Sequence, residues 1–534
     1  MAVPVADAMQ TDAETAAVSP RQIILHIGDY RCEAMLTAAT EGTTRFIASA
    51  PGESGQYADA VGVALRLLSE QCGYALTQEE IEAVLVRGRP LLARVVGEPN
   101  EEARAALHVT ERDGVVRTVA PPAVPPRGGR LTDWVRQVAE QFERGDVDLL
   151  IVALPPGDLP EWAAQLLNAV QAAPPGANRH LIVFASSDAL APALVPGTVL
   201  LERNDTLPQR FAERLTRIHI AHRTPDFSAS VNVCSSITAV AAGLAFARHD
   251  GKEAIAYLDL SEGSTIIVAH PSGVEVLHDA ACDSAAGAVT LLHRLGVEAV
   301  AQWIPFPIDA AALRTWAVRR VAAPRALLID PVDRAIAGGF ARATLRALVA
   351  KSAAIQTATR CIIGPGLLHT NTIEDAMLAV ADVLSASRIV EIAMDVDDLM
   401  PVVGYFAMHR PDSARSLLTH DALAPLGAIL THAARNERDD SGIAAVLAGH
   451  GDETRTTIVH DALTVVDVRS TSVVNVIRRD GREEALVVQG GPGGLLIDTR
   501  ARPLRGGAGR PTARGNVSDR LRAALAWEEA RHGE

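Results

Sequence analysis

The stretch Tyr257-Leu258-Asp259-Leu260-Ser261-Glu262-Gly263-Ser264-Thr265-Ile266-Ile267-Val268 decides how this chain is read. Two apolar runs flank a short polar bend, which predicts a strand, a tight turn and a second strand. An acid ends the first run, and a glycine and two hydroxyl residues fill the bend. Such a hairpin aims backbone N–H groups and hydroxyls at a phosphate, while the acid holds a cation or its water. Asp259, Gly263, Ser264 and Thr265 are therefore candidate phosphate-site residues, and Asp259 is the candidate metal ligand.

The surrounding chain suits a folded protein around such a site. Its 534 residues are enough for roughly two to four domains. A hydrophobic content of 48% supplies well-buried cores. Aromatic residues make up only 4%, which disfavours stacking platforms for single-stranded nucleic acid, and a net charge of -14 disfavours general binding to nucleic acid or anionic membranes. The five cysteines (Cys32, Cys72, Cys234, Cys282 and Cys361) are scattered and form no C-x-x-C pair, so a reducing cytoplasm is expected rather than a disulfide framework or structural zinc. Residues 1–20 carry acids and no apolar core, unlike a signal peptide, and no run approaches a membrane span.

The order of elements predicts an α/β architecture. Residues 1–20 read as a disordered leader and 21–120 as a first lobe. Residues 121–130 form a Pro/Gly linker, 131–225 an α/β segment of alternating helices and strands, and 226–424 a second lobe. Residues 425–504 read as a small β-rich C-terminal module, and 505–534 as a basic tail with a terminal helix over Ser518–Arg531. One internal repeat bears on function. Ile24-Leu25-His26-Ile27-Gly28-Asp29 lays over Tyr257-Leu258-Asp259-Leu260-Ser261-Glu262, each an apolar strand entering a turn. Two such hairpins predict two related lobes facing a cleft, with Gly28 at the first turn. Gly364-Pro365-Gly366 follows a third apolar strand, and the order of the three segments resembles that of the actin, hexokinase and sugar-kinase superfamily, which implies a turn bordering a nucleotide.

Longer runs resemble one family. Asp259-Leu260-Ser261-Glu262-Gly263-Ser264-Thr265 is similar to the D-[IV]-G-x-A-T-T turn of the glutamate mutase L family. Trp303-Ile304-Pro305, Cys361 to Gly366, and Met394 to Gly404 resemble further segments of it, and Gly494 to Leu504 resembles its G-L-I-I-D-A-R-G-R-P-L ending. The resemblance spans roughly Gln22 to Leu504. It implies two ribonuclease-H-like lobes of actin-like type, with ATP or ADP and Mg2+ held by Gly28, Asp259, Gly263, Ser264, Thr265, Gly364 and Gly366. It also implies an accessory role beside a cobalamin-dependent mutase subunit; a homodimer is a further expectation.

The departures from the family shape the functional expectation. Its first phosphate turn resembles D-x-G-S-x-x-T-K. Here the acid position holds His26, the serine position Asp29, the threonine position Cys32 and the lysine position Glu33. A carboxylate where a lysine should meet phosphate costs on the order of 4 kcal/mol at ~4 Å. In the second turn, Ser261 stands where glycine is expected. The expected function is a nucleotide-responsive accessory protein with a degraded ATPase site. The alternatives are an actin-like scaffold pseudo-enzyme that binds no nucleotide and a small-molecule kinase, for which no acceptor base is evident. The acids Asp395, Asp397 and Asp398 read as a solvated strand end and helix cap, and Asp498, Arg500 and Arg502 as a salt-bridge network. Ser235 or Ser236 reads as the cap of an alanine-rich helix.

Overall fold

The structure, a computed structural model, describes residues between 21 and 500, with breaks at connecting segments of which 186–198, 203–214 and 219–230 are the longest. The expected leader and the basic tail with its helix lie outside the described residues.

The first lobe is built on β1 (Arg21–Ile27), β2 (Cys32–Thr40), β3 (Thr43–Gly52) and β4 (Ile81–Val86). The chain then forms β5 (Leu91–Gly97), β6 (Val116–Thr118), β7 (Leu149–Ala153), β8 (His180–Ala185) and β9 (Val199–Glu202), and returns with β10 (Asn232–Ser235). The first sheet has the order β10-β4-β1-β2-β3. Its β1, β2 and β3 run antiparallel, and β4 and β10 add parallel strands.

The second lobe repeats this plan with β11 (Ala254–Asp259), β12 (Ser264–His270), β13 (Gly273–Asp279), β14 (Ala358–Ile363) and β15 (Arg388–Met394). Its sheet runs β13-β12-β11-β14-β15, again three antiparallel strands followed by two parallel ones. The duplicated order shows the two ribonuclease-H-like lobes of an actin-like α/β fold, as the sequence led us to expect.

Strand pairing moves several expected boundaries. The strands β5 and β6 belong to a separate sheet, β6-β5-β7-β8-β9, rather than to the first lobe. Asn232–Ser235 pairs with β4 and so joins the first sheet, not the second. Of the C-terminal strands, β17 (Ile443–Ala448), β18 (Thr454–Thr457), β20 (Ser472–Arg478) and β21 (Glu483–Val488) form their own four-stranded sheet. By contrast, β19 (Leu463–Val466) and β22 (Leu495–Asp498) extend the second-lobe sheet beyond β16 (Ala424–Thr431).

Both hairpin strands are buried on two faces. Along β11, Ala256 and Leu258 enter one core while Ile255 and Tyr257 enter another. Along β1, Ile23, Leu25 and Ile27 pack with the helix Tyr57–Cys72, and Ile24 faces the opposite way. The helices Ser236–Ala247 and Met400–His409 lie between the sheets. Val402, Val403 and Phe406 meet the first-lobe core, whereas Met400, Ile237 and Val240 meet the second. The two helices cross closely because Gly404 has no side chain: a Cβ there would stand 1.6 Å from the Ala239 carbonyl oxygen. This crossing fixes the ends of β1, β4 and β11 around one cleft.

Candidate functional site

Asp259 ends β11 and is fully buried. Its Oδ1 accepts hydrogen bonds from the Gly366 N–H at 2.8 Å and the Ser261 N–H at 3.3 Å. Its Oδ2 accepts the Ser261 hydroxyl at 2.6 Å. The turn then passes through Gly263 at φ 112, a left-handed value that favours glycine, and enters β12 with Ser264 and Thr265 buried. Gly364 and Gly366 fold directly onto this hairpin. A Cβ at Gly364 would lie 2.6 Å from the Tyr257 hydroxyl, and one at Gly366 would lie 2.0 Å from the Ser261 nitrogen. The structure thus brings together Asp259, Gly364 and Gly366, with Gly263, Ser264 and Thr265 continuing the same hairpin. Gly28 is buried just past β1 on the opposite lobe.

The residue that sequence reasoning does not single out is Arg87. It follows β4, where its N–H donates to the Ile27 carbonyl at 2.8 Å. Its Nη1 lies 2.8 Å from Asp259 Oδ2 and donates to Ser261 Oγ at 2.6 Å. The two charged side chains are 7% and 0% exposed, so the pair is withdrawn from water. Asp398 Oδ2 lies 3.9 Å from the same Nη1. No motif marks Arg87; it follows the mostly apolar run Ile81 to Val86 and has Arg89 two positions on.

A second link crosses the cleft beside the first. His26 Nδ1 lies 2.6 Å from Asp398 Oδ2, and its Nε2 lies 2.8 Å from Ser236 Oγ. A carboxylate oxygen can only accept, so this contact is a hydrogen bond through a proton carried on Nδ1. Asp398 itself takes φ 54, a left-handed conformation that an aspartate tolerates better than most residues. The reading of Asp395 as a helix cap is met by its bonds, Oδ1 from the Leu399 N–H at 2.7 Å and Oδ2 from the Met400 N–H at 3.1 Å. The expectation of a solvated strand end is not: Asp395 is fully buried. Burial, then the neighbouring Asp398 carboxylate, push the Asp395 carboxyl well above the usual range. Ser235 takes the cap position of the helix Ser236–Ala247 but gives it no side-chain bond, and Ser236 turns to His26 instead.

The Tyr257 hydroxyl is buried beside these acids and has no hydrogen-bond partner among the described residues. Burial, then the charges of Asp259, Asp395 and Asp398, hold it well above its ordinary pKa. On β13, His278 Nδ1 meets Thr265 Oγ1 at 2.9 Å. Burial, then the Arg87 charge, lower the His278 pKa to about 4. Away from the cleft, Arg500 Nη2 joins Asp382 at 2.7 Å and Asp498 at 2.6 Å, a network that ties β22 to the helix Ile373–Val383. Burial works against the Arg500 charge, and the two carboxylates more than offset it. Arg502 lies outside the described residues.

The Asp259 carboxylate is engaged within the protein. Among the described residues no set of three or more His, Cys, Asp or Glu side chains is placed to hold a metal ion. Both Asp259 oxygens already serve Arg87, Ser261 and Gly366. Across the two lobes Arg87 faces Asp259 and Asp398, and His26 faces Asp398.

No family model matches the chain, and no curated protein matches it. Among solved structures it is similar to the Aquifex aeolicus Ppx/GppA phosphatase, type II variant, at 9% identity and a TM-score of 0.21, covering 73% of this chain and 80% of that one. A reductive activator for a corrinoid, iron-sulfur protein gives 11% and 0.30, with 76% of this chain and 63% of that one covered. Xylulose kinase from Bifidobacterium adolescentis gives 12% and 0.27, with 77% and 96% covered. Likenesses of this size give no ground for transferring a ligand or an activity. No described helix is long and apolar enough to cross a membrane.

Proposed function

We propose that this chain is an actin-like accessory protein whose cleft responds to nucleotide and hydrolyses little of it. The observation that carries the reading is the buried Arg87–Asp259 pair, which spans the two lobes at 2.8 Å. Arg87 engages the carboxylate that the family resemblance gives to a metal or its water, and Glu33 and His26 stand at the positions where that resemblance has a lysine and an acid. Positioned donors and a cation are what make phosphoryl transfer fast, and this cleft has spent its cation on its own carboxylate. ATP or ADP with Mg2+ therefore binds weakly, through the Asp259–Thr265 hairpin and the Gly364–Gly366 turn. Entry of the ligand disturbs the interlobe pair, and a partner reads the altered surface. The partner proposed is an adenosylcobalamin-dependent mutase subunit in the cytoplasm, as the glutamate mutase L resemblance implies.

A thermal-shift panel on the full chain tests this. Millimolar ATP or ADP with magnesium is expected to raise the midpoint by mass action, with phosphate release no faster than in Asp259→Ala. Magnesium-dependent turnover that is lost in Asp259→Ala would overturn the weak-hydrolysis reading. The same closed pair favours a second reading, an actin-like scaffold that binds no nucleotide. It predicts no midpoint shift with ATP, ADP or GTP.

A further inference from the structure

We propose that Arg87 is the phosphate-binding cation of this cleft, held in reserve on Asp259 and transferred to a ligand phosphate when one enters. The natural ligand rests on the nucleotide-responsive reading above; the test below does not.

The argument begins with charge. The first hairpin carries Glu33 where the family pattern has lysine, and Glu33 is buried opposite His26 in the β1–β2 register. A phosphate placed there would face a carboxylate. Arg87 lies one strand away and is anchored to the same hairpin strand through the Ile27 carbonyl. Its guanidinium already reaches across to the second hairpin, touching Ser261 at 2.6 Å. Its charge is also felt at His278, which pairs with Thr265 on the far side of that hairpin. Arg87 therefore holds positive charge at the turn whose hydroxyls and backbone are the candidate phosphate contacts.

The chemistry of the exchange is symmetrical. A guanidinium fork fits carboxylate and phosphate oxygens alike, so Asp259 and a phosphate are competing anions for one donor. A buried arginine cannot be left without an anion, and the protein holds Asp259 against it until a phosphate takes that place. This differs from a permanent plug, in which Arg87 would only obstruct anions.

Inorganic pyrophosphate without magnesium separates the two, read by thermal shift and equilibrium dialysis on the full chain. Asp259→Asn keeps the size of the side chain and removes the competing charge. It is expected to bind pyrophosphate about tenfold more tightly than wild type, and the double variant Asp259→Asn/Arg87→Gln is expected to lose that gain. Equal affinity in the single and double variants overturns the proposal. If Asp259→Asn does not fold by circular dichroism, Arg87→Gln alone decides: weaker pyrophosphate binding than wild type supports the exchange, and unchanged or stronger binding overturns it. A wild-type chain that ignores ATP but passes the pyrophosphate test would sink the nucleotide reading and leave Arg87 as an anion ligand.

Discussion

Arg87 and Asp259 are both taken out of water, so the loss of either leaves a buried charge without its counter-charge. Arg87→Met should lower the free energy of unfolding by about 3–5 kcal/mol, read by urea denaturation; a loss below about 1 kcal/mol would mean that water reaches the pair. His278 makes a separate prediction. Its folded pKa of about 4 lies below the ordinary 6.5, so the unfolded chain binds the extra proton between those values. Stability from this residue is fully present above pH 6.5 and falls as pH drops toward 4, by up to about 3 kcal/mol and less where water reaches the ring. Melting curves at pH 7.5 and pH 5 should show a smaller drop in His278→Gln than in wild type. Arg87 carries no local sequence signal of the pair it makes with Asp259.

At the scale of elements, a clear apolar run or a one-sided helix is easier to read in the sequence than a helix buried all round. The spans His180–Ala185, Glu161–Ala172 and Arg388–Met394 are legible because each is an apolar run or a one-sided helix with clear ends. The helix Met400–His409 is not. Its residues from Met400 to Phe406 are all buried, because one side meets the first-lobe core and the other the second. A helix covered all round has no apolar stripe for periodicity to find. Its close crossing with Ser236–Ala247 makes Gly404→Ala informative. The added methyl meets the Ala239 carbonyl, and the helices must separate at a cost of about 2–3 kcal/mol. A matching fall in the urea midpoint is expected, while Gly62→Ala, where a Cβ has open space, should leave it unchanged or raised.

The whole molecule is a two-lobed body with a parallel α/β sheet inserted between β4 and β10. The inserted sheet has cores of its own, around Val95, Leu149 and Ile151 on one face and Val96, Leu150 and Val152 on the other. The lobes are clasped beyond the cleft by Arg45–Asp421 at 2.7 Å and by Thr44 with Ser413 at 2.9 Å. Because β4 and β10 are parallel neighbours, their joining segment must run back the length of a strand. About 15 glycine and serine residues span roughly 20 Å, enough for that return. Replacing residues 91–225 by such a linker should leave a soluble body that unfolds cooperatively by circular dichroism. Loss of cooperative unfolding would show that the inserted sheet holds the lobes together.

The sequence by itself determined the two hairpins, their repetition and the α/β character, since each is written in residues close together along the chain. The tertiary structure decided which charges meet. Arg87 and Ser261 lie 174 positions apart, and His26 and Ser236 lie 210 apart. Nothing local distinguishes an arginine bound for solvent from one bound for a buried carboxylate. Only the packing of two sheets around shared helices brings those ends together, and with water excluded there, each charge must find its partner within the protein.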